Sequence, residues 1–241
     1  MVNHGMRQDG KPDHIMSAAR NLVIATRNRH KAEEIRSILS QEFEYETLNN
    51  LPGAPELIED ADSFAGNATG KAVQLAEWLA GRPSAECEVR SETIFVLADD
   101  SGLEVDALAG APGVHSARFA GLEDPTARGN SPDGANNAKL LRLLQGVPLE
   151  KRAARFRCVL ALVEVTPHGA TFTPHLFEGV CEGHISYSPS GQGGFGYDPL
   201  FVPTGYEQSF GELGEALKNR LSHRAKALAK LKEWLEKPLM G

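Results

Sequence analysis

Little in this sequence points to cross-links, metal cages or membranes. Its three cysteines, Cys87, Cys158 and Cys181, are odd in number, far apart in 241 residues and without histidines at ligand spacing. That pattern excludes a disulfide framework and a zinc site, and a reducing cytoplasm is the expected location. No apolar run reaches the roughly 18 residues that span a bilayer, and the N-terminus has no apolar signal segment. A soluble, unexported chain is therefore expected. Basic residues are outnumbered, 25 Lys and Arg against 32 Asp and Glu, for a formal net charge of −7. Such a balance argues against a broad nucleic-acid surface, yet it leaves room for an anionic small ligand met by a local group of cations. What remains is ordinary: 41% hydrophobic and 24% charged residues, enough chain to bury a substantial core, with no internal repeat or low-complexity tract.

Hydrophobic spacing gives an alternation of strands and helices. Residues 1–20 are polar and aperiodic and are expected to be a disordered extension, ahead of a single domain over 21–241. Residues 21–26 form a short apolar strand, after which Ala32, Ile35, Ile38 and Leu39 recur at helical spacing. Between them Thr26, Arg27, Asn28, Arg29, His30 and Lys31 make a basic turn at a helix N-terminus, where free N–H groups and the positive dipole end suit phosphate. The plainer reading of Asn28 is a helix cap. A strand is expected over 43–48, an acidic, proline-bearing loop over 51–61, an amphipathic helix over 63–79 that includes Lys71, and a polar connection over 81–92. Further on come a helix over 135–144, two strands over 154–165 and 171–185 around a hairpin signal at 167–169, a glycine-rich segment over 188–199 and a strand over 200–202. The last helical region, 212–234, is broken near Ser222, a plausible N-cap. His223 and Arg224 then fall in a first helical turn, where cations oppose the helix dipole, so a bound anion or carbonyl explains them better than a structural role.

The stretch 97–121 organises the rest. A buried strand is expected to end at Ala98, where Asp99, Asp100, Ser101 and Gly102 follow as a turn. Ligands of α/β sheets collect beyond the carboxyl ends of their strands. Because neighbouring side chains on a strand point to opposite faces, Asp99 and Asp100 are expected to do different jobs, one toward a ligand and one in support.

Four blocks in register, Thr26-x-Asn28-x-x-Lys31, the run from Ala98 through Asp106 and Pro112-Gly113 to Arg118, Gly194 to Pro199, and Ser222-His-Arg224, resemble the inosine triphosphate pyrophosphatase family. The resemblance covers essentially everything from Leu22 onward. It implies an α/β fold with an elongated mixed sheet, flanking helices and two lobes around a nucleotide-binding cleft, a homodimer, a Mg²⁺ requirement, and hydrolysis of ITP, dITP and XTP to the monophosphate and pyrophosphate. It also implies that Thr26, Asn28 and Lys31 bind the phosphates with help from Lys71 and Ser101, and that Asp100 is the catalytic acid/base. Glu59 would bind metal, with Asp99 and Asp100 beside it, and Phe195, Gly196, Tyr197, Asp198, Lys218, His223 and Arg224 would hold base and sugar. One departure stands out: Gly66-Asn67-Ala68 occupies the place of the family's Glu-Asn-Ala.

These roles make chemical sense. Mg²⁺ keeps several waters and takes one or two protein carboxylates. An Asp of ordinary pKa near 4 is a weak base at neutral pH, and a metal that acidifies water brings its proton within reach. A 6-oxopurine offers an acceptor at O6 and a donor at N1, the reverse of adenine. Donors from Arg224 or His223 aimed at O6 would reject adenine by roughly 10⁴-fold. Two rival readings are a pyrophosphatase of the septum-inhibition type acting on pyrimidine or modified nucleotides, and a nucleotide-binding regulator without turnover.

Overall fold

The computed structural model describes residues 20–39, 43–82, 93–124, 126–166 and 172–236. The expected extension over 1–20 therefore falls almost wholly outside the described residues, as do the hairpin signal at 167–169 and most of the connection over 81–92.

A six-stranded mixed sheet carries the fold. Its strands are β1 (Arg20–Ile24), β2 (Phe43–Thr47), β3 (Ile94–Val105), β4 (Ala153–Val165), β5 (His175–Ile185) and β6 (Phe201–Pro203), in the order β2-β1-β3-β4-β5-β6. The chain crosses from β1 to β2 through α1 (Arg29–Leu39) and from β2 to β3 through α2 (Phe64–Ala80), and both pairings with β1 are parallel. Parallel neighbours need such crossovers, whereas β3, β4, β5 and β6 pair antiparallel in sequence. The remaining helices are α3 (Asp133–Leu143), α4 (Phe210–Leu213), α5 (Glu215–Leu221) and α6 (His223–Leu235).

Two expectations need correction. β3 does not end at Ala98. Every residue from Ile94 to Val105 pairs with β4, Asp99 opposite Leu160 and Asp100 opposite Val159, so Asp-Asp-Ser-Gly lies in mid-strand. Ladder hydrogen bonds along a long partner override the local turn preference of those four residues. The final helical region has two breaks, at Gly214 as well as at Ser222.

Parity along β3 sorts the core. Val96 and Ala98 face a cluster built with Phe64, Ala68, Ala72, Leu75, Ala76 and Leu79 of α2, whereas Phe95 and Leu97 face Ile35 and Leu39 of α1 and Leu228 and Leu231 of α6. Alanines along α2 let the helix sit close to the sheet, and Leu75, with no exposure, contributes about 1.5–3 kcal/mol by burial. Beyond Gly102 the same strand runs into a third cluster, in which Leu103 and Val105 pack with Phe156, Leu200, Phe201 and Phe210. Asp99 and Asp100 thus sit where the two outer clusters give way to the third. On the far side of β5, Lys226 and Lys230 of α6 donate to the carbonyls of Val180 and Glu178 at 2.8 and 2.7 Å.

Candidate active site

A cleft of about 580 Å³ opens over this junction, lined by Thr26, Lys31, Lys71, Asp99, Asp100, Phe195, Lys218 and Arg224 among others. The turn after β1 brings the first of these. Thr26 Oγ1 accepts from the Asn28 N–H at 3.1 Å, and Asn28 Oδ1 accepts from the Lys31 N–H at 3.2 Å, so Asn28 does cap α1. That cap aims the first turn of α1, and with it Lys31, at β3. Arg27 lines the cleft and donates to the carbonyls of Leu48 and Ala54. Arg29 and His30 are exposed and are not among the cleft-lining residues. His30 instead stacks on Phe195, with centroids 5.4 Å apart and rings inclined by 15°.

The two adjacent aspartates end in opposite environments, as their parity requires. Asp99 faces α1 and α6. Its Oδ1 accepts from Lys31 Nζ at 2.6 Å and from Ser101 Oγ at 2.9 Å, and its Oδ2 accepts from Arg224 Nε at 2.9 Å and from the Cys158 thiol at 3.2 Å. Burial would raise its pKa, but the charges of Arg224 and Lys31 outweigh burial and hold the carboxyl well below the usual range. With both oxygens committed inside the protein, Asp99 does not fit the metal-ligand role expected of it. Asp100 faces α2. Lys71 Nζ lies 3.4 Å from its Oδ1, and Asn67 Nδ2 donates to its Oδ2 at 3.1 Å. Here burial prevails over the Lys71 charge and pushes the pKa up.

Lys71 also approaches Glu59 Oε1 at 3.2 Å and donates to the Asp99 carbonyl at 2.9 Å. One ammonium therefore faces two carboxylates, Glu59 and Asp100, which leaves an excess negative charge and an all-oxygen donor pair. That donor set fits a hard divalent cation, which needs only one or two protein carboxylates when phosphate and water complete its shell. Among the described residues no group of three or more His, Cys, Asp and Glu side chains gathers as a metal cage.

Glu34 escaped the sequence reading, although it lies on α1 one turn beyond Lys31. It forms ion pairs with Lys218 Nζ at 2.6 Å and with Arg224 Nη1. Lys218 in turn meets Asp198 Oδ2 at 2.6 Å. Three cations, Lys31, Lys218 and Arg224, are thereby matched by Asp99, Glu34 and Asp198. Arg224 is 1% exposed, and each of its three guanidinium nitrogens already donates inside the protein, Nη2 to Ser101 Oγ at 2.9 Å. The expectation that it lacks a structural role is thus corrected: buried carboxylates, not the helix dipole, decide its place.

The glycine-rich loop shapes the other wall. Asp198 Oδ2 accepts from the Phe195 N–H at 2.8 Å, and a Cβ at Gly194 would lie 2.1 Å from that same oxygen, so only glycine permits the turn. Asp133 Oδ2 accepts from the Gly196 N–H at 2.7 Å and Asn137 Nδ2 donates to the Gly196 carbonyl at 3.0 Å. Phe195 is left half-buried, with Lys218 Nζ 4.4 Å and Arg224 Cζ 5.9 Å from its ring centre. Tyr197 lines the cleft and also belongs to the third core cluster, and its hydroxyl donates to the Ser116 carbonyl at 2.9 Å, so it anchors the loop. Ser222 caps α6 by accepting from the Ala225 N–H at 3.1 Å. His223 is buried, stacked on Phe156 at 4.8 Å, and its Nδ1 has no hydrogen-bond partner. Burial, then Arg224 and Lys218, lower its pKa well below the usual value, so the imidazole is neutral.

Residues 22–234 match the sequence profile of the Ham1 family. The chain is 47% identical over 217 residues to a dITP/XTP pyrophosphatase of Desulforamulus reducens, across 90% of this chain and 96% of that protein. It is 44% identical to a dITP/XTP pyrophosphatase of Shouchella clausii, across 89% and 96% of the two chains. Among solved structures, a HAM1 protein from Coxiella burnetii superposes with a TM-score of 0.70 at 33% identity, covering 90% of this chain and 98% of that one. A nucleoside-triphosphatase / dITP/XTP pyrophosphatase from Mycobacterium abscessus superposes with a TM-score of 0.64 at 37% identity, covering 88% and 98%.

Proposed function

Because the chain belongs to the Ham1 family, we propose that its cleft hydrolyses the non-standard purine nucleotides ITP, dITP and XTP to the monophosphate and pyrophosphate. The observation that carries this reading is the pair of adjacent aspartates with opposite partners in one cleft, Asp99 locked into Lys31 and Arg224 and Asp100 set beside Lys71 and Asn67.

In this reading water attacks the α-phosphorus, the bond from that phosphorus to the α–β bridging oxygen breaks, and pyrophosphate leaves. Asp100 takes the water's proton, and burial makes it a better base than an ordinary aspartate. Lys31 and Lys71 meet the phosphates, exchanging part of their pairing with Asp99, Glu59 and Asp100 for phosphate oxygens. The Thr26, Asn28 and Lys31 N–H groups are taken up inside the turn, and those of Arg27, Arg29 and His30, at the positive end of α1, suit the same anion. Glu59 and Asp100 would hold Mg²⁺, which neutralises phosphate charge and acidifies coordinated water. Asp99 holds Lys31 and Arg224 in place and takes no part in the proton transfer.

The base would lie against Phe195 in place of the His30 ring that stacks there, and stacking supplies affinity without choice. His223 supports the choice. A neutral imidazole can offer one nitrogen as a donor to O6 of a 6-oxopurine, and its Nδ1 has no hydrogen-bond partner inside the protein. Lys218 places its ammonium 4.4 Å from the centre of the Phe195 ring. A homodimer and a cytoplasmic location complete the reading, and sedimentation equilibrium checks the first. No helix among the described residues is long and apolar enough to cross a membrane.

The test is product analysis by phosphorus NMR with ITP, dITP, XTP, ATP, UTP and dUTP and Mg²⁺. Pyrophosphate and monophosphate should form from the first three far faster than from the rest. Faster release from dUTP or UTP would favour the septum-inhibition type, release of orthophosphate would refute cleavage at the α-phosphorus, and ITP binding without turnover would favour a regulator.

A further inference from the structure

Glu59 and Asp100 come from unrelated parts of the chain, a loop and the middle of β3, yet both reach the same ammonium. Glu59 is exposed and its loop has no strand to hold it. What holds the loop is a set of contacts from α2. Gln74 grips Ile58 at both backbone groups: its Oε1 accepts from the Ile58 N–H at 2.9 Å and its Nε2 donates to the Ile58 carbonyl at 3.2 Å. Two residues beyond Glu59, Asn67 Oδ1 accepts from the Ala61 N–H at 3.0 Å, while Nδ2 of the same amide donates to Asp100 Oδ2 at 3.1 Å. Asn67 is 2% exposed, so this one buried amide ties the loop directly to the catalytic aspartate.

Gly66 makes that approach possible. A Cβ there would stand 2.7 Å from Ala61 Cβ and 3.0 Å from Ser63 Oγ. In this backbone arrangement a Cβ there would press on Ala61 and Ser63, so the loop would have to shift away from the first turn of α2 to admit it, which draws the Ala61 N–H from Asn67. Neither residue that flanks Glu59 in this arrangement is needed to build the sheet, since Gln74 is half-buried on α2 and Gly66 has no side chain.

We infer that Gln74 and Asn67, with the space left by Gly66, are positioning residues that clamp the loop bearing Glu59 at the distance from Asp100 that a divalent cation requires. This rests on the reading of Glu59 and Asp100 as the cation's protein ligands. Residues that orient metal ligands are worth about 10–100-fold in metal affinity. Loosening the clamp therefore raises the metal requirement and leaves the groove for base and phosphate intact.

The experiment measures Mn²⁺ binding by electron paramagnetic resonance on the full-length protein without nucleotide, alongside the Mg²⁺ dependence of pyrophosphate release. Gln74→Ala and Gly66→Ala should each weaken Mn²⁺ binding about tenfold or more and raise the Mg²⁺ needed for half-maximal rate by the same factor. At saturating Mg²⁺ the KM for ITP should be unchanged in Gln74→Ala. Adding Ala61→Gly to Gly66→Ala removes the nearest clashing atom and should restore most of the lost affinity. Glu59→Gln is the reference. If it weakens Mn²⁺ binding while Gln74→Ala and Gly66→Ala do not, the clamp is refuted and the ligand assignment stands. If Glu59→Gln leaves Mn²⁺ binding unchanged, the ligand assignment and the clamp both fail. Should Gly66→Ala fail to fold, Gln74→Ala alone decides the outcome.

Discussion

Replacing Asp99 by Asn should cost stability before it costs chemistry. The substitution keeps the shape of the side chain and removes the charge that Lys31 and Arg224 share. Breaking one partner of a buried ion pair costs about 3–5 kcal/mol, because the charge left behind is uncompensated. Arg224 keeps Glu34, and Lys31 can relax into the cleft, since its side chain retains 17% exposure. The low end, about 3 kcal/mol, is therefore expected. At roughly 2–4 °C per kcal/mol for a chain of this size, Tm should fall by about 6–12 °C at pH 7. The pH dependence fixes the cause. A carboxyl whose folded pKa lies below its unfolded value contributes stability above the unfolded pKa, near 4, and loses it as pH falls through the folded value. The gap between wild type and Asp99→Asn should thus stay constant from about pH 5 to 8 and narrow below about pH 4. Circular dichroism melts across that range measure it. A Tm within about 2 °C of wild type at pH 7, or a gap that widens toward acid, would refute the assignment of Asp99 to the ion-pair network.

Asp100→Asn should behave in the opposite way. Pyrophosphate release from ITP should drop by about 10²–10⁴-fold, while Tm at neutral pH stays level or rises, because a carboxyl with a raised folded pKa stabilises only below its unfolded value and costs stability once ionised; a fall in Tm matching that of Asp99→Asn would contradict this. Chelating divalent cations with EDTA should abolish hydrolysis yet move Tm little, since Lys71 already faces Glu59 and Asp100, and a melt followed by an activity assay on the same sample checks both. Phe195→Ala should raise the KM for ITP by about 5- to 150-fold, from a stacking loss of about 1–3 kcal/mol, with kcat reduced less; steady-state kinetics on ITP and XTP would show it.

Much of this site was legible in the residues, for reasons that differ from block to block. Ser222 and Asn28 declared themselves as caps because capping is local chemistry, and both do cap helices. That Asp99 and Asp100 face opposite sides and meet different partners followed from strand geometry alone. The end of β3 was misread for the converse reason: Asp, Ser and Gly carry turn preferences, and the force that overrides them is pairing with β4, more than 50 residues away in the chain. Arg224 was misjudged because the dipole argument is local, whereas its partners Asp99 and Glu34 come from β3 and α1. Glu34 had no local mark at all; an acidic residue in the middle of an amphipathic helix looks like any solvated one. Tyr197, which the resemblance places at base and sugar, does line the cleft, but packing that no local pattern announces puts it in the third core cluster as well.

The lysines on α6 that reach Val180 and Glu178 bear on how the molecule behaves in company. β6 pairs only with Gly183 to Ile185 of β5, and carbonyls along a stretch of strand without a neighbour are a template on which another chain can dock edgewise, which seeds aggregates. Here the same helix that delivers Arg224 to the cleft also blocks that strip with two ammonium groups. Acylating Lys226 and Lys230, or exchanging both for alanine, would uncover it, and the first sign of trouble would be turbidity at high concentration in a protein whose turnover is still normal.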